Sequence, residues 1–507
     1  MTLARVNAAA VVGLDGQMVE VQVYVAGGLP GITIVGLPDA GVQEARERVK
    51  AAIRNSGCSF PSRRITVNLA PADLRKEGPA YDLPIAVGVL VSTGQVAADI
   101  SRTLFLGELS LDGSLRHTHG ILSMVALAKE KGLTTVVVPA VDATEASLID
   151  GVDIIPANNL FELIGHLRGD SPIARCTGCA LMESTSPPAS SADLTHIKGQ
   201  EHAKRALEVA SAGGHNLLMV GPPGSGKTML ARALATILPR MAMEESIEVT
   251  KIYSVSGLLP PETPLINQRP FRAPHYTISQ AGLVGGGRWP RPGEISLSHR
   301  GVLFLDEFTE YAHMSLEVLR QPLEDKVVTI SRAQGSITFP ANFMLVAAMN
   351  PCPCGYYGDS VKECRCSAGE VTRYMKKISG PLLDRIDIFL EVPRLEYEKL
   401  ADDRMGETSE KVRCRVEQAR QIQRDRFNGS GLSCNADATA VEVREYCQVE
   451  PSAQSLLTSA MKQLSLSARG FHRILKVART IADLDGSGTI RGHHLAESIQ
   501  YRPRTMG

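Results

Sequence analysis

The sequence predicts an α/β fold in three parts: an N-terminal α/β domain over 1–169, a second α/β domain on a largely parallel sheet over 196–393, and an all-helical remainder over 394–507. Three observations carry this. Short β-branched runs are mixed with helical stretches before residue 169, apolar strand-like runs alternate with helical patterns from Ile197 to about Pro393, and the rest reads as helix alone.

At 507 residues the chain is too long for one hydrophobic core. The first part rests on the runs Val19–Val25, Ile32–Val35, Ile65–Asn68 and Val136–Val138, set among the helical stretches Gln43–Ser56 and Ser123–Lys131. A polar segment from Cys176 to Ala192, with Ser-Thr-Ser-Pro-Pro-Ala-Ser-Ser at its centre, suits a linker, so 170–195 is read as the connection. Lys plus Arg and Asp plus Glu both number 54, so no global field draws the chain to a polyanion, and any such site must be local or built by assembly. The N-terminus lacks a basic region followed by an apolar run, and no stretch of eighteen apolar residues occurs, so a soluble, cytoplasmic protein without a membrane partner is expected. Ten cysteines are too sparse for a disulfide scaffold; clustered ones point to metal.

The second part holds the chemistry. The strand-like Asn216–Val220 runs into Gly221-Pro222-Pro223-Gly224-Ser225-Gly226-Lys227-Thr228, and the helical Met229–Ile237 follows. This is the G-x-x-x-x-G-K-[ST] pattern in its required strand–loop–helix setting. The glycines let backbone N–H groups curl around phosphates, Lys227 neutralises β/γ charge, and Thr228 offers its hydroxyl to Mg²⁺, so ATP and Mg²⁺ are the expected cofactors. A second apolar strand, Val302–Leu305, ends in Asp306-Glu307, which places one carboxylate to hold Mg²⁺ and the next to polarise an attacking water. A third, Phe343–Ala348, ends at Asn350, whose amide can orient that water or contact the γ-phosphate, or else open an Asn-Pro turn. Arg385, between acids in Pro381-Leu-Leu-Asp-Arg-Ile-Asp387, can stabilise γ-phosphate charge in a neighbouring subunit or sit in surface salt bridges. Arg469 opens a C-terminal helix from which it can reach back over the nucleotide, although Arg473 lies one turn along the same face.

These residues, with Gly36-Leu-Pro-Asp39, Phe271-Arg-Ala-Pro-His275 and Cys352-Pro-Cys-Gly355, resemble the ComM/YifB family of magnesium chelatase-like AAA+ proteins along nearly the whole chain. The resemblance implies a Lon-type domain over 1–169, an AAA+ core over 196–393 with a Cys-rich insertion at 352–366, and a helical lid over 394–507. It further implies a homo-hexameric motor acting on DNA, a branch-migration helicase extending strand exchange in natural transformation, with Arg385 as the trans-acting finger and Arg469 as sensor two. A finger that acts in trans leaves a monomer incomplete, so a nucleotide-stabilised ring is expected. A chelatase-type ATPase driving a partner enzyme, or an ATP-dependent protease, are the other classes in view.

Lon peptidases need a Ser–Lys dyad. Here Ala80 stands in Gly78-Pro-Ala-Tyr81 where the serine belongs, and Leu122 where the lysine belongs, so peptidase activity is not expected. Arg64, Arg75 and Lys76 form either a basic surface on this domain or an ordinary solvated face. Cys352, Cys354, Cys364 and Cys366 make a C-x-C-x₉-C-x-C set, a ligand set for structural Zn²⁺ or a group of redox or buried thiols. Cys176 and Cys179 are one isolated pair. For DNA, Gly282–Gly293 with Arg288, Trp289 and Arg291, and the hairpin-like Val327–Thr338 with Arg332, Gln334 and Gly335 near its tip, are the pore-loop candidates. Repeating a few arginines around a ring gives a positive channel without changing the neutral total.

Overall fold

The computed structural model describes residues 3–74, 76, 78–176, 193–260, 263–287, 290–332, 335–394, 406–463 and 467–502. Two compact units divide the chain: Met1–Ser184 with Ser246–Ile266, and Thr185–Glu245 with Asn267–Gly507. The division differs from the three-part expectation in two places. Residues 246–266 group with the N-terminal unit, and the C-terminal helices group with the second α/β domain.

The first unit is built on β1 (Leu3–Val12), β2 (Asp15–Ala26), β3 (Gly31–Val35), β4 (Arg64–Ala70), β5 (Thr103–Phe105), β6 (Thr135–Pro139) and β7 (Asp153–Ala157), in the order β3-β4-β2-β1-β5-β6-β7. β1 and β2 form a hairpin in register from Leu3 opposite Tyr24 to Val12 opposite Asp15. Beyond β1 the sheet is parallel. The period-2 alternation of strands sorts its residues into two apolar clusters. Val6, Val19, Val21, Val23, Phe105, Val137 and Ile155 pack with the helices Ala40–Asn55 and Asp82–Ser92. Ala9, Leu104, Leu106, Val136, Val138 and Ile154 pack with the helix Ile121–Glu130. Asp82–Ser92 is apolar nearly all round because it is buried nearly all round, and it lies so close to β2 that a Cβ on Gly88 would meet Val23 Cγ2 at 2.5 Å.

The second unit holds a five-stranded, wholly parallel sheet of β8 (Leu217–Val220), β9 (Phe271–Arg272), β10 (Val302–Leu305), β13 (Met344–Met349) and β14 (Ile388–Glu391), ordered β9-β10-β13-β8-β14; β11 (Val327–Arg332) and β12 (Gly335–Pro340) pair as a separate hairpin. Because all five run the same way, their carboxyl ends share one edge, where ligands of open α/β sheets bind. The helices Glu201–Gly213 and Lys227–Ile237 cover the strand residues Leu217, Met219, Phe304, Val346 and Leu390. The remainder is helical, as expected: Ser409–Arg426, Ala440–Tyr446, Pro451–Gln463, Ala468–Leu484 and Gly492–Gln500. Among the described residues, no helix is long and apolar enough to cross a membrane.

Candidate nucleotide site

β8 lies between β13 and β14, and its last residue Val220 pairs with Met349 and Glu391, so the loop from Gly221 and the residue Asn350 leave the sheet side by side. Gly221 has no room for a side chain: a Cβ there would run into the Val392 carbonyl. Gly224 and Gly226 take φ of +77° and +89°, left-handed values that glycine adopts readily and that curl the loop before the helix Lys227–Ile237 begins, with the Ser225 N–H on the Pro222 carbonyl. Gln200, itself left-handed at φ +55°, donates its side-chain amide to the Ser225 carbonyl at 2.9 Å and braces the loop from outside.

Lys227 is buried and folded back on the loop. Its Nζ donates to the carbonyls of Gly221 at 2.7 Å and Pro222 at 2.9 Å, and to Asn350 Oδ1 at 3.3 Å. Burial lowers its pKa, and Asp306 works the other way. Thr228 Oγ1 donates to Asp306 Oδ2 at 2.8 Å, which brings the hydroxyl and the carboxylate together. Asp306 Oδ1 accepts from the N–H of Glu307, and Glu307 sits at φ +51°, a strained conformation for a non-glycine residue that turns the chain sharply after β10. Tyr311 was not singled out by sequence; burial, with Asp306 and then Glu307 nearby, pushes its phenol up, and its hydroxyl donates to the Pro274 carbonyl at 2.6 Å. Met229 is exposed on the first turn of the helix, and Ser225 is buried with an unpartnered hydroxyl. The set thus presents a lysine, a glycine-curled loop at a helix N-terminus and a hydroxyl–carboxylate pair, which fits a triphosphate with a divalent cation.

The two arginines lie elsewhere. Arg385 donates Nη1 to the Pro381 carbonyl at 2.7 Å and Nη2 to Glu324, while Nε is buried without a partner. Arg469 has its ion-pair partner in the same carboxylate, 3.9 Å from Glu324, rather than in the P-loop. Arg473, one turn along the same helix, pairs with Asp387. Burial opposes charge there, but Arg473 at 2.8 Å and His215 outweigh it and hold the carboxyl well below the usual range, so Arg473 is an anchor.

The four clustered cysteines converge. Cys352, Cys354 and Cys364 have their sulfurs 3.3, 3.6 and 3.7 Å apart, and all four Sγ atoms, Cys366 included, lie within 4.8 Å of one another. Tetrahedral Zn²⁺ with bonds of about 2.3 Å sets its sulfurs roughly 3.8 Å apart, so the donor set fits that ion. The four thiols titrate as a set: the N–H groups of Tyr356 and Arg365 bring Cys354 down to about 6, while at Cys364 and Cys366 the backbone N–H bonds are outweighed by the sulfur neighbours, which push both up, so the set as a whole holds its protons until a cation displaces them. Gly355, at φ +85°, lets this turn lie on the P-loop: a Cβ there would meet Cδ and Cγ of Pro223 at 2.7 Å.

Other expectations are corrected or fall outside the described residues. Lys76 is fully buried, with Nζ donating to the Pro71 carbonyl, so it contributes nothing to a basic surface; Arg64 is exposed, and Arg75 lies outside the described residues. Ala80 sits in a short 3-10 turn, Pro79–Tyr81, and Leu122 is buried with its N–H on Glu145, so neither place offers a hydroxyl or an amine. Gly285–Gly286 pairs with Arg291–Pro292 in a small hairpin. Arg288, Trp289, Gln334 and Cys179 lie outside the described residues, as does the side chain of Arg332, and Gly335 begins β12.

A parallel sheet in this order, with a P-loop after its fourth strand in the order and an acidic pair after its second, defines a P-loop ATPase of the AAA+ class. Family models agree: magnesium chelatase subunit ChlI matches residues 193–400, a second ChlI model matches 19–142, and the ChlI C-terminal model matches 406–502. The chain is 44% identical to competence protein ComM of Haemophilus influenzae, covering 99% of this chain and 98% of that protein. It is 42% identical to the uncharacterized protein YifB of Escherichia coli, covering 99% and 97%. A magnesium-chelatase 67 kDa subunit of Chlorobaculum parvum is 29% identical over 31% of this chain and 23% of that subunit. The chain belongs to the ComM/YifB family of magnesium chelatase-like AAA+ ATPases.

Proposed function

We propose that the chain works as a ring-forming, ATP-driven motor that migrates branched DNA, extending strand exchange during recombination in natural transformation. The observation that carries the reading is Arg385: its hydrogen bonds go to Pro381 and Glu324, away from Lys227, Asp306, Glu307 and Asn350 of its own chain. An arginine so placed serves the nucleotide of a neighbour, which calls for a closed ring, taken as a hexamer. Full-length similarity to a competence protein supports the DNA role.

In this reading Gly221 to Met229 hold ATP. Lys227 exchanges its carbonyl partners for β/γ-phosphate oxygens, and Thr228 with Asp306 holds Mg²⁺, which supplies charge neutralisation between the phosphates. Glu307 polarises the attacking water, and Asn350, released by Lys227, orients it. Arg385 stabilises charge on the neighbour's γ-phosphate, and Arg469, as sensor two, reaches back over the nucleotide of its own site. Cys352, Cys354, Cys364 and Cys366 hold structural Zn²⁺, pinning the turn that Gly355 rests on Pro223. The segments 282–293, with Arg288, Trp289 and Arg291, and 327–338, with Arg332 and Gln334, grip DNA by charge and stacking.

The test is steady-state ATP turnover with and without a synthetic four-way junction, followed in the same samples by strand separation. Stimulated turnover with ATP-dependent junction processing is expected; turnover indifferent to DNA sinks the motor reading. The second reading, an ATPase driving a metal-inserting partner, is favoured by the chelatase models matching all three parts of the chain. It predicts stimulation by such a partner and none by DNA.

A further inference from the structure

Arg385 is held by an anion in a way that bears on when it can act. Its side chain is 13% exposed and lines a cleft of about 530 Å³ together with Glu317, Arg320, Glu324 and Asp325. Arg320 is already bound to Glu317 at 2.7 Å, so Arg385 faces two remaining carboxylates, a setting that repels a phosphate. A guanidinium grips phosphate through two parallel N–H groups along one of its edges. Both such edges of Arg385 include Nη2, and Nη2 is the nitrogen that donates to Glu324 Oε2. The other two nitrogens offer little relief, since Nη1 is on the Pro381 carbonyl and Nε is buried. The bond to Glu324 takes the Nη2 N–H of one edge, so a phosphate competes with Glu324 for that edge, while the other depends on the carbonyl-bound Nη1 or the buried Nε.

The second oxygen of the same carboxylate has somewhere to go. Glu324 Oε1 lies 3.9 Å from Arg469, whose side chain is 62% exposed and able to follow it. We propose that Glu324 is a clasp: it holds Arg385 withdrawn in the resting protomer and passes to Arg469 when a neighbour's triphosphate takes the finger. Glu324 is thus a positioning residue that acts through Arg385 and touches no substrate. The proposal rests on the trans-finger reading, and the experiment separates the two.

Lys227→Ala subunits lack a working site but keep a finger, and Arg385→Ala subunits keep a site but lack a finger. Mixed rings of the two are expected to recover turnover. Glu324→Gln placed on the Lys227→Ala subunit then raises the kcat of the mixed rings about two- to five-fold, the range a partly exposed ion pair commands, with KM for ATP unchanged. The same change on the Arg385→Ala subunit has no effect. Glu324→Ala gives the same pattern, and melting temperatures check that each variant folds. Recovery of turnover that ignores or is reduced by Glu324→Gln on the finger donor overturns the clasp, as does stimulation from the finger-less subunit or a change confined to KM. Failure of the mixed rings to recover any turnover, with both subunits folded and assembled, overturns the trans finger itself.

Discussion

Gly355→Ala tests whether the cysteine turn and the nucleotide loop are mechanically one piece. Two penalties arise. The residue sits at φ +85°, where a side chain costs about 1–2 kcal/mol. Its Cβ would also stand 2.7 Å from two ring atoms of Pro223, an overpacking worth about 1–3 kcal/mol. Gly358, three residues on, separates these terms: it has φ +77° but nothing within 4 Å of an added Cβ. Gly358→Ala therefore carries only the backbone cost, and the difference between the two variants is the contact. Strain against Pro223 is relieved most cheaply by moving the P-loop, whose Pro223 is exposed, so it surfaces as lost ATP affinity. About 1.4 kcal/mol of it is tenfold in Kd. Calorimetric titration with ATP is expected to show Gly355→Ala weaker by about tenfold or more and Gly358→Ala close to the parent. Equal affinities in the two variants would refute the coupling.

Lys227→Ala is expected to abolish ATP binding in the same titration, because each charge-assisted bond to phosphate is worth about 1.5–3 kcal/mol; retained affinity would remove Lys227 from the site. Arg385→Ala leaves binding intact but lowers turnover about a thousandfold or more, and parental turnover would rule out the finger. A pH effect is expected in the N-terminal unit. Burial, outweighing the bond from Arg48, pushes the Asp82 carboxyl up to about 6, against roughly 3.9 unfolded. Between those values the folded state holds more protons than the unfolded one, so this group's contribution to stability declines as pH rises from about 4 to 6, by about 3 kcal/mol in all. Asp82→Asn should remove that slope, seen as the change with pH in the difference between the two melting temperatures; a constant difference would contradict it.

Much of the nucleotide site was legible because it depends on spacing. Glycines, lysine and threonine fall at fixed offsets between an apolar run and a helical pattern, and the strand ends at Asp306 and Asn350 follow from four- to six-residue apolar runs. What was not legible is set by contacts distant in sequence. β1 was missed because its Leu-Ala-Arg-Val-Asn-Ala-Ala-Ala core has little β-branched signal, and its strand state comes from ten cross-strand partners in β2. The helix Met243–Ser256 gives no local sign of its partners, and contacts such as Ser254 bonding to Glu145 and to the Gly120 N–H, with Gly257 against His119, reveal that 246–266 groups with the first unit. Lys76 read as surface because lysine is almost always surface, and no local pattern announces a buried one. Arg469 and Arg473 are one turn apart and locally alike, and the ion pair of Arg473 with Asp387, from an earlier stretch of the same unit, leaves no mark in the local pattern. The contact of Gly355 with Pro223 joins two segments far apart in sequence and leaves no local signal.

The contacts around Lys227 link these parts into one circuit. β13 delivers Asn350, and the chain continues without a break through Pro351 and Cys352 to Gly355, so one short segment touches Lys227 at its start and Pro223 at its end. Without a phosphate partner the lysine satisfies itself with two carbonyls of its own loop and the Asn350 amide, and these are the three bonds a triphosphate must exchange. The exchange is close to even for the lysine, which swaps neutral acceptors for charged ones, but not for its former partners. The Gly221 and Pro222 carbonyls and Asn350 Oδ1 are all left to find new donors. Asn350 is the one with a rotatable side chain, so the change of ligand is felt first there, and through the following residues at the turn where the four cysteine sulfurs meet. A turn pinned at those sulfurs would transmit that displacement, whereas a loose one would absorb it. Placing the cysteines immediately after Asn350 makes the state of the γ-phosphate site and the stiffness of the insertion a single mechanical question.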